Sequence, residues 1–253
     1  MKIKKTLATI LLFCAAQAQA DTIRFGVDPT YPPFSYKNKS GELEGFEIEI
    51  GNALCAKLQS KCVWVVNEFD GLVAGLKAKK FDGILSSMQP TAERLKQIDF
   101  TDGLYSVYTA LVASKGSPLS FNEASLRGKS IGVEQGTVQD LYANKNLAAW
   151  GVTVVSYQSQ DQVYADLING RLDGSLQDVT QAELGFLSTP QGKDFKVSDV
   201  LRDPATQADI AIGVSKSNTD LKEKLNGAIK GIRDSGEFEK IEEKYFSNKL
   251  SKG

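Results

Sequence analysis

The sequence predicts an α/β fold built from two like halves, and three observations carry that prediction. Between Thr22 and Leu85, apolar runs alternate with amphipathic stretches in the order strand, helix, strand, helix, strand, the rhythm of a parallel-rich sheet flanked by helices. The same order recurs between Ser130 and Leu176. The halves also share an echo: Leu76-x3-Lys80-Phe81-Asp82-Gly83-x-Leu85 matches Leu167-x3-Arg171-Leu172-Asp173-Gly174-x-Leu176 at an offset of 91 residues.

Taken in order, Thr22 to Val27 reads as a strand that enters the loop Asp28-Pro29-Thr30-Tyr31-Pro32-Pro33-Phe34, stiffened by its prolines. Tyr31 and Phe34 either wall a site there or pack beneath the loop. Ser40-Gly41 marks a hairpin-like turn. Gly45 to Leu58 is predicted as a helix, with Phe46, Ile50, Ala53, Leu54 and Leu58 at helical spacing. Val63 to Val66 is a strand, and Phe69-Asp70-Gly71 leads into a helix over Leu72 to Lys79. Phe81 to Leu85 is a strand running into the polar loop Ser86-Ser87-Met88-Gln89-Pro90, after which Thr91 N-caps a helix.

Leu104 to Val112 reads as an extended passage into the second half. There, Ser130 to Val133 is a strand, and Thr137 caps a helix with Asp140 at the capping-box position. Val152 to Val155 is a strand, Gln160 to Asn169 a helix stopped at Gly170, and Leu172 to Leu176 a strand. Ala208 to Val214 is an apolar run that carries the chain back. Leu221, Leu225, Ile229 and Ile232, then Phe238, Ile241 and Tyr245, predict two closing helices divided at Ser235-Gly236.

The first twenty residues read as a secretory signal peptide. Lys2, Lys4 and Lys5 precede an apolar run from Leu7 to Ala16, and Ala18-Gln19-Ala20 is a small-x-small cleavage site that leaves Asp21 first. Phe13 before Cys14 argues against lipidation. Removing the signal leaves 27 basic against 31 acidic residues, a net charge of −4, and no reason to expect nucleic acid as a partner. Cys55 and Cys62 then remain as an even pair that an oxidising compartment would join in a disulfide; two thiols alone make a poor metal site. The absence of histidine excludes Ser-His-Asp and Cys-His nucleophile systems and histidine metal centres. No cofactor is expected.

Arg94 sits in the first turn of the helix after Thr91, where the macrodipole disfavours a cation. It either pairs locally with a carboxylate such as Asp99 or faces an anion alongside the serines and loop N–H groups. Ser86-Ser87 and Gln177-Asp178 come directly after the two echoed strands, and ligands bind beyond the carboxyl ends of parallel strands. If the halves face each other, Arg94 meets a carboxylate and Asp178 an ammonium in one cleft.

Gly45-Phe46-Glu47-Ile48-Glu49-Ile50-x3-Leu54-Cys55-x2-Leu58 resembles the signature of the solute-binding proteins (family 3) of polar amino-acid ABC importers. Gly26 to Phe34, Ser86-Ser87-Met88, Glu93-Arg94, Gly128-Lys129-x-Ile131-Gly132-Val133 and Lys244-Tyr245-Phe246 occur in the family's order, so the resemblance spans the chain. Within the family the pattern is most like the histidine and lysine/arginine/ornithine binders, which also carry a cysteine pair.

The resemblance implies a two-lobed, monomeric, periplasmic Venus flytrap with a two-strand hinge. Lobe 1 would comprise 21–107 with 209–253, and lobe 2 would comprise 108–208. It would be a binding protein rather than an enzyme, handing a cationic amino acid to a membrane permease and its ATPase. Arg94 would hold the α-carboxylate, assisted by Ser87 and N–H groups near Gln89 and Val138, and Asp178 the α-ammonium. Asp28 and Ser86 would meet the far end of the side chain, with Tyr31 and Phe69 on either side of it. Met88, Thr137 and Gln139 complete the implied set.

Gln89, Val138 and Glu134 depart from residues common in relatives, as does the segment 207–213. Glu134 would favour a cationic side chain. The same fold also serves cyclohexadienyl dehydratases, in which Glu134 or Asp178 would transfer a proton, as well as opine binders and sensor modules.

Overall fold

The computed structural model describes residues 21–203, 206–207 and 209–250; the expected signal peptide, with its Cys14, and Ala208 of the expected return run lie outside them. The chain first builds β1 (Thr22–Val27), a small antiparallel sheet of β2 (Thr30–Tyr31), β3 (Ser35–Lys37) and β4 (Leu43–Glu44), and then α1 (Phe46–Lys57). β5 (Lys61–Val66), α2 (Leu72–Lys77), β6 (Gly83–Ile84), α3 (Ala92–Gln97) and β7 (Asp99–Tyr105) come next. The second half holds β8 (Thr109–Ser114), α4 (Glu123–Leu126), β9 (Ser130–Glu134) and α5 (Val138–Tyr142), which continues as a π-helical turn over Ala143–Leu147. Then come β10 (Thr153–Tyr157), α6 (Gln160–Ile168), β11 (Gly174–Asp178), α7 (Val179–Gln181) and β12 (Phe195–Leu201). β13 (Ile210–Val214), α8 (Thr219–Asp234) and α9 (Glu237–Tyr245) close the chain.

Two five-stranded sheets result, in the orders β5-β1-β6-β13-β7 and β10-β9-β11-β8-β12. Parallel pairing joins β1 to β5 and β6, and β9 to β10 and β11. The remaining strands of each sheet pair antiparallel. Leu104 to Val112 passes from one sheet to the other as expected: β7 ends in the first sheet and β8 begins in the second, with 106–108 crossing between them. The chain rejoins the first sheet at β13.

The echoed Asp-Gly pairs explain where two strands begin. The Asp82 carboxylate accepts the Arg24 N–H at 2.9 Å, and the Asp173 carboxylate accepts the Ser130 N–H at 2.9 Å. Each aspartate so ties its strand to the parallel neighbour, and each also pairs with a cation, Arg24 in one lobe and Lys129 in the other. Ladder pairing starts at Gly83 and Gly174, rather than at Phe81 and Leu172 as the apolar runs predict. Phe81 and Leu172 are instead buried in the cores beneath the sheets.

Side chains alternate across each sheet. Along β8, Leu111 and Ala113 pack with Ile131, Val133 and Leu147, whereas Ala110 and Val112 pack with Val163, Leu167 and Phe186. In the first lobe α1, α8 and α9 cover one face through Phe46, Ile50, Leu54, Leu225, Ile229 and Phe238, and α2 covers the other through Leu72 and Leu76. The closing helices break as predicted, at Gly236 with φ 74°, a left-handed turn that suits glycine.

Cys55 on α1 and Cys62 on β5 form a disulfide with Cα atoms 5.7 Å apart, which settles the sequence alternatives for this pair. The closed loop is short, so the loop-entropy argument assigns the bridge about 2–3 kcal/mol. Replacing both cysteines by serine is expected to lower unfolding stability by that amount in urea titrations while leaving the native circular dichroism intact.

Candidate functional site

β6 and β11, the two echoed strands, run out toward one crevice between the lobes. A pocket lies there, with about 380 Å³ of space between and beyond its lining atoms, open solvent included. Asp28, Tyr31, Phe69, Ser86, Ser87, Gln89 and Arg94 line it from the first lobe; Glu134, Thr137, Val138, Gln139 and Asp178 line it from the second. Met88, expected among them, is the exception. Its side chain is buried with Phe69, Leu72 and Ile84, and its carbonyl accepts the Ala211 N–H. The left-handed backbone at Ser87, with φ 46°, precedes this turn into the core. Phe34 likewise lies under the proline loop, stacked on Tyr105 at 5.2 Å, while Tyr31 faces the cavity.

Thr91 caps α3, its hydroxyl accepting the Arg94 N–H. That cap places Arg94 in the first turn with its side chain directed into the crevice. Arg94 is 7% exposed. Its Nη1 donates to the Gln89 carbonyl at 2.7 Å, its Nη2 donates across the crevice to the Gly136 carbonyl at 2.9 Å, and its Cζ lies 5.3 Å from the centre of the Phe69 ring. Burial lowers its pKa to about 10. Asp99 is not its partner: that carboxylate pairs with Lys222 at 2.9 Å. Among the described residues Arg94 forms no ion pair.

Three buried acids share the cavity without a cationic partner among the described residues. Asp178, the last residue of β11, accepts from Gln139 Nε2 at 2.9 Å, and its N–H donates to the Tyr31 hydroxyl of the other lobe at 3.1 Å. Burial pushes its pKa up to about 7, against the bonds from Tyr31 and Gln139. Asp28 accepts from Thr30 and from the Phe69 N–H, and its own N–H donates to Ser86 Oγ; burial raises its pKa against those bonds. Glu134 ends β9 and is 3% exposed, and its Oε1 has no hydrogen-bond partner. Burial, then the charges of Asp28 and Asp178, push its pKa well above the carboxylate range.

Thr137 caps α5 by accepting the Asp140 N–H. The reciprocal bond of the expected capping box is shifted by one residue, since Asp140 accepts from Gly136 rather than Thr137. Gly136 has φ 77°, and a Cβ there would lie 3.1 Å from Asp70 Cα of the facing lobe, so this turn passes tightly against the first lobe. Gln89 sends its amide Nε2 to the Thr206 carbonyl at 3.2 Å, which ties the loop after β6 to the segment before β13.

Sequence reasoning missed Glu47 as an individual residue. It is completely buried and accepts from Ser87 and Tyr105, and burial, against those bonds, raises its pKa to about 7. The available signal was a charge at i with Ile50 and Leu54 at i+3 and i+7, on the apolar stripe of α1.

Comparison with known proteins gives a consistent picture. The family described as bacterial extracellular solute-binding proteins, family 3, matches residues 23–248. The lysine/arginine/ornithine-binding periplasmic protein of Escherichia coli (strain K12) is 43% identical over 231 residues, 90% of this chain and 89% of that protein. The histidine-binding periplasmic protein of Salmonella typhimurium is 41% identical over 251 residues, 97% of this chain and 96% of that protein. Among solved structures, a Salmonella typhimurium periplasmic binding protein described as highly specific for arginine superposes with a TM-score of 0.84 at 30% identity, covering 90% of this chain and 100% of its own.

Asp178 and Glu47, each raised to about 7, hold protons more tightly in the folded than in the unfolded chain. Between the ordinary carboxyl range near pH 4 and pH ~7 the folded state binds more protons, so these groups make stability fall as pH rises through that window. Urea titrations at pH 5 and 7.5, without ligand, are expected to show a flatter decline for Asp178→Asn than for the parent protein. Equal declines would assign the proton uptake elsewhere.

Proposed function

Because the chain belongs to the bacterial extracellular solute-binding proteins of family 3, we propose that it binds a cationic L-amino acid: arginine, lysine or ornithine, with histidine a further candidate. It would act in the periplasm after cleavage behind Ala20, closing on its ligand and presenting it to the permease and ATPase of an ABC importer. The lobes that close would be 21–107 with 209–253, and 108–208, acting as a monomer.

The observation that carries this reading is the charge balance of the crevice. One buried guanidinium without a carboxylate partner sits opposite three buried acids without a cationic partner, all statements made of the described residues. An amino acid with a cationic side chain answers both. Its carboxylate meets Arg94, its ammonium meets Asp178, and its side-chain cation meets Glu134 and Asp28. Charges taken out of water are tolerated only when paired, so a neutral or acidic side chain would leave Glu134 unanswered. Both oxygens of Asp28 already accept bonds from Thr30 and Phe69, whereas Glu134 keeps acceptor capacity for the ligand. The Phe69 and Tyr31 rings would border the aliphatic stem. The bonds from Arg94 to Gly136 and from Asp178 to Tyr31 cross between the lobes, so the groups expected to grip the ligand's backbone also join them.

Catalysis forms no part of this reading. Asp178 and Glu134 have the raised pKa of proton donors, but they serve here as counter-charges. Prephenate and arogenate are expected to remain unconverted on incubation with the protein.

Isothermal titration with the twenty amino acids is expected to give heat with arginine, lysine or ornithine. Heat with glutamate or leucine alone would overturn the specificity. Arg94→Ala should weaken binding by about 2–5 kcal/mol, some 30- to 5,000-fold. Glu134→Leu should shift the ranking away from long cations, and an unaltered ranking would remove Glu134 from the ligand's contacts.

A further inference from the structure

Glu47 lies behind the cavity wall rather than on it, and none of the ligand contacts proposed above uses it. Its side chain is 0% exposed. The Ser87 N–H donates to its two oxygens at 2.8 and 3.0 Å, the Ser87 hydroxyl lies 3.3 Å from Oε2, and the Tyr105 hydroxyl donates to Oε1 at 3.0 Å. The Ser87 N–H and the Tyr105 hydroxyl both offer a hydrogen to the carboxylate, which suits the ionised form, while the Ser87 hydroxyl also lies 3.0 Å from the Tyr105 oxygen. Its position in the first turn of α1 favours the same form through the helix dipole.

Ser87 is where that carboxylate exerts its effect. Its φ is 46°, the left-handed region that a residue with a Cβ enters only when its surroundings hold it there. Its neighbours in the loop are held by other means. Ser86 Oγ accepts the Asp28 N–H, the Met88 carbonyl accepts the Ala211 N–H, and the Gln89 carbonyl accepts Arg94 Nη1. Reversing the backbone at Ser87 lets Ser86, Gln89 and Arg94 share one wall of the cavity while Met88 enters the core.

We propose that Glu47 is the positioning residue of the ligand loop: its carboxylate turns the Ser87 N–H inward and maintains the left-handed turn that aligns the Arg94 side of the cavity. Tyr105, its other partner, is the last residue of β7 before the chain crosses to the second lobe. One buried carboxylate thus ties the loop that meets the ligand to the strand that enters the crossing. The Ser87 N–H is accordingly committed to Glu47 rather than to the ligand.

Two measurements test this, and only the second rests on the cationic amino-acid reading. Amide exchange measured by NMR should find the Ser87 N–H protected both without and with arginine. Rapid exchange that slows only when arginine is added would make that N–H a ligand donor and overturn the proposal. In the second, Glu47→Gln should raise the Kd for arginine at least about tenfold in the Ser87 background but less than about threefold in the Ser87→Gly background, because glycine adopts φ 46° without being held. Equal losses in both backgrounds would reduce Glu47 to general packing and overturn its positioning role. A parent protein that ignores arginine refutes the function proposed above and leaves the exchange result to decide on Glu47, as it also does where Glu47→Gln fails to fold.

Discussion

A guanidinium withdrawn from water, which among the described residues bonds to two carbonyl oxygens and lies near an aromatic ring, is the constraint the rest of this structure answers. Burial works against the Arg94 cation, and neither Gln89 nor Gly136 contributes a formal negative charge. Burial works against Asp28, Glu134 and Asp178 in the opposite sense. These charges lie in one crevice but on different elements, and little water screens them. A zwitterion with an additional positive group is complementary to that arrangement from end to end.

The duplicated architecture is what brings the two ends together. Each lobe uses an aspartate at the start of a central strand to accept an N–H of the parallel neighbouring strand, and each pairs that aspartate with a nearby cation. The matched starts give matched exits, so Ser86-Ser87 and Gln177-Asp178 leave their sheets at corresponding places. Beyond those exits the two lobes diverge. The first continues into the loop and capped helix that carry Arg94, and the second ends its strand on Asp178. One supersecondary unit used twice so brings a buried guanidinium from the first lobe against buried carboxylates of the second.

Residues that depart from the pattern of the family find partners of their own. Gln89 uses its longer side chain to reach the Thr206 carbonyl, which joins the loop after β6 to the segment before β13. Val138 is the first residue of α5, where a backbone N–H remains available whatever the side chain. Glu134 is different: it brings a carboxylate into a buried place with no cationic partner among the described residues.

Most of the elements, the repeat and the residue types at the two strand exits were legible in the sequence, because periodicity, capping residues and Asp-Gly spacing are local signals; β12, α4 and α7 were not. The sequence predicted Thr91 as the cap of α3, the division of the closing helices and the pairing of Cys55 with Cys62. It left Arg94 undecided between Asp99 and an anion, since the choice depends on Lys222, more than a hundred residues away, occupying Asp99. It assigned Met88 to the cavity because a motif carries no information on which way a loop residue points; the core decided that. Glu47 reads in sequence as one acid among several at a helix start. Only folding brings Ser87 and Tyr105 against it, because a hydrogen bond between α1, the ligand loop and β7 is a property of three elements packed together and of no stretch of chain alone.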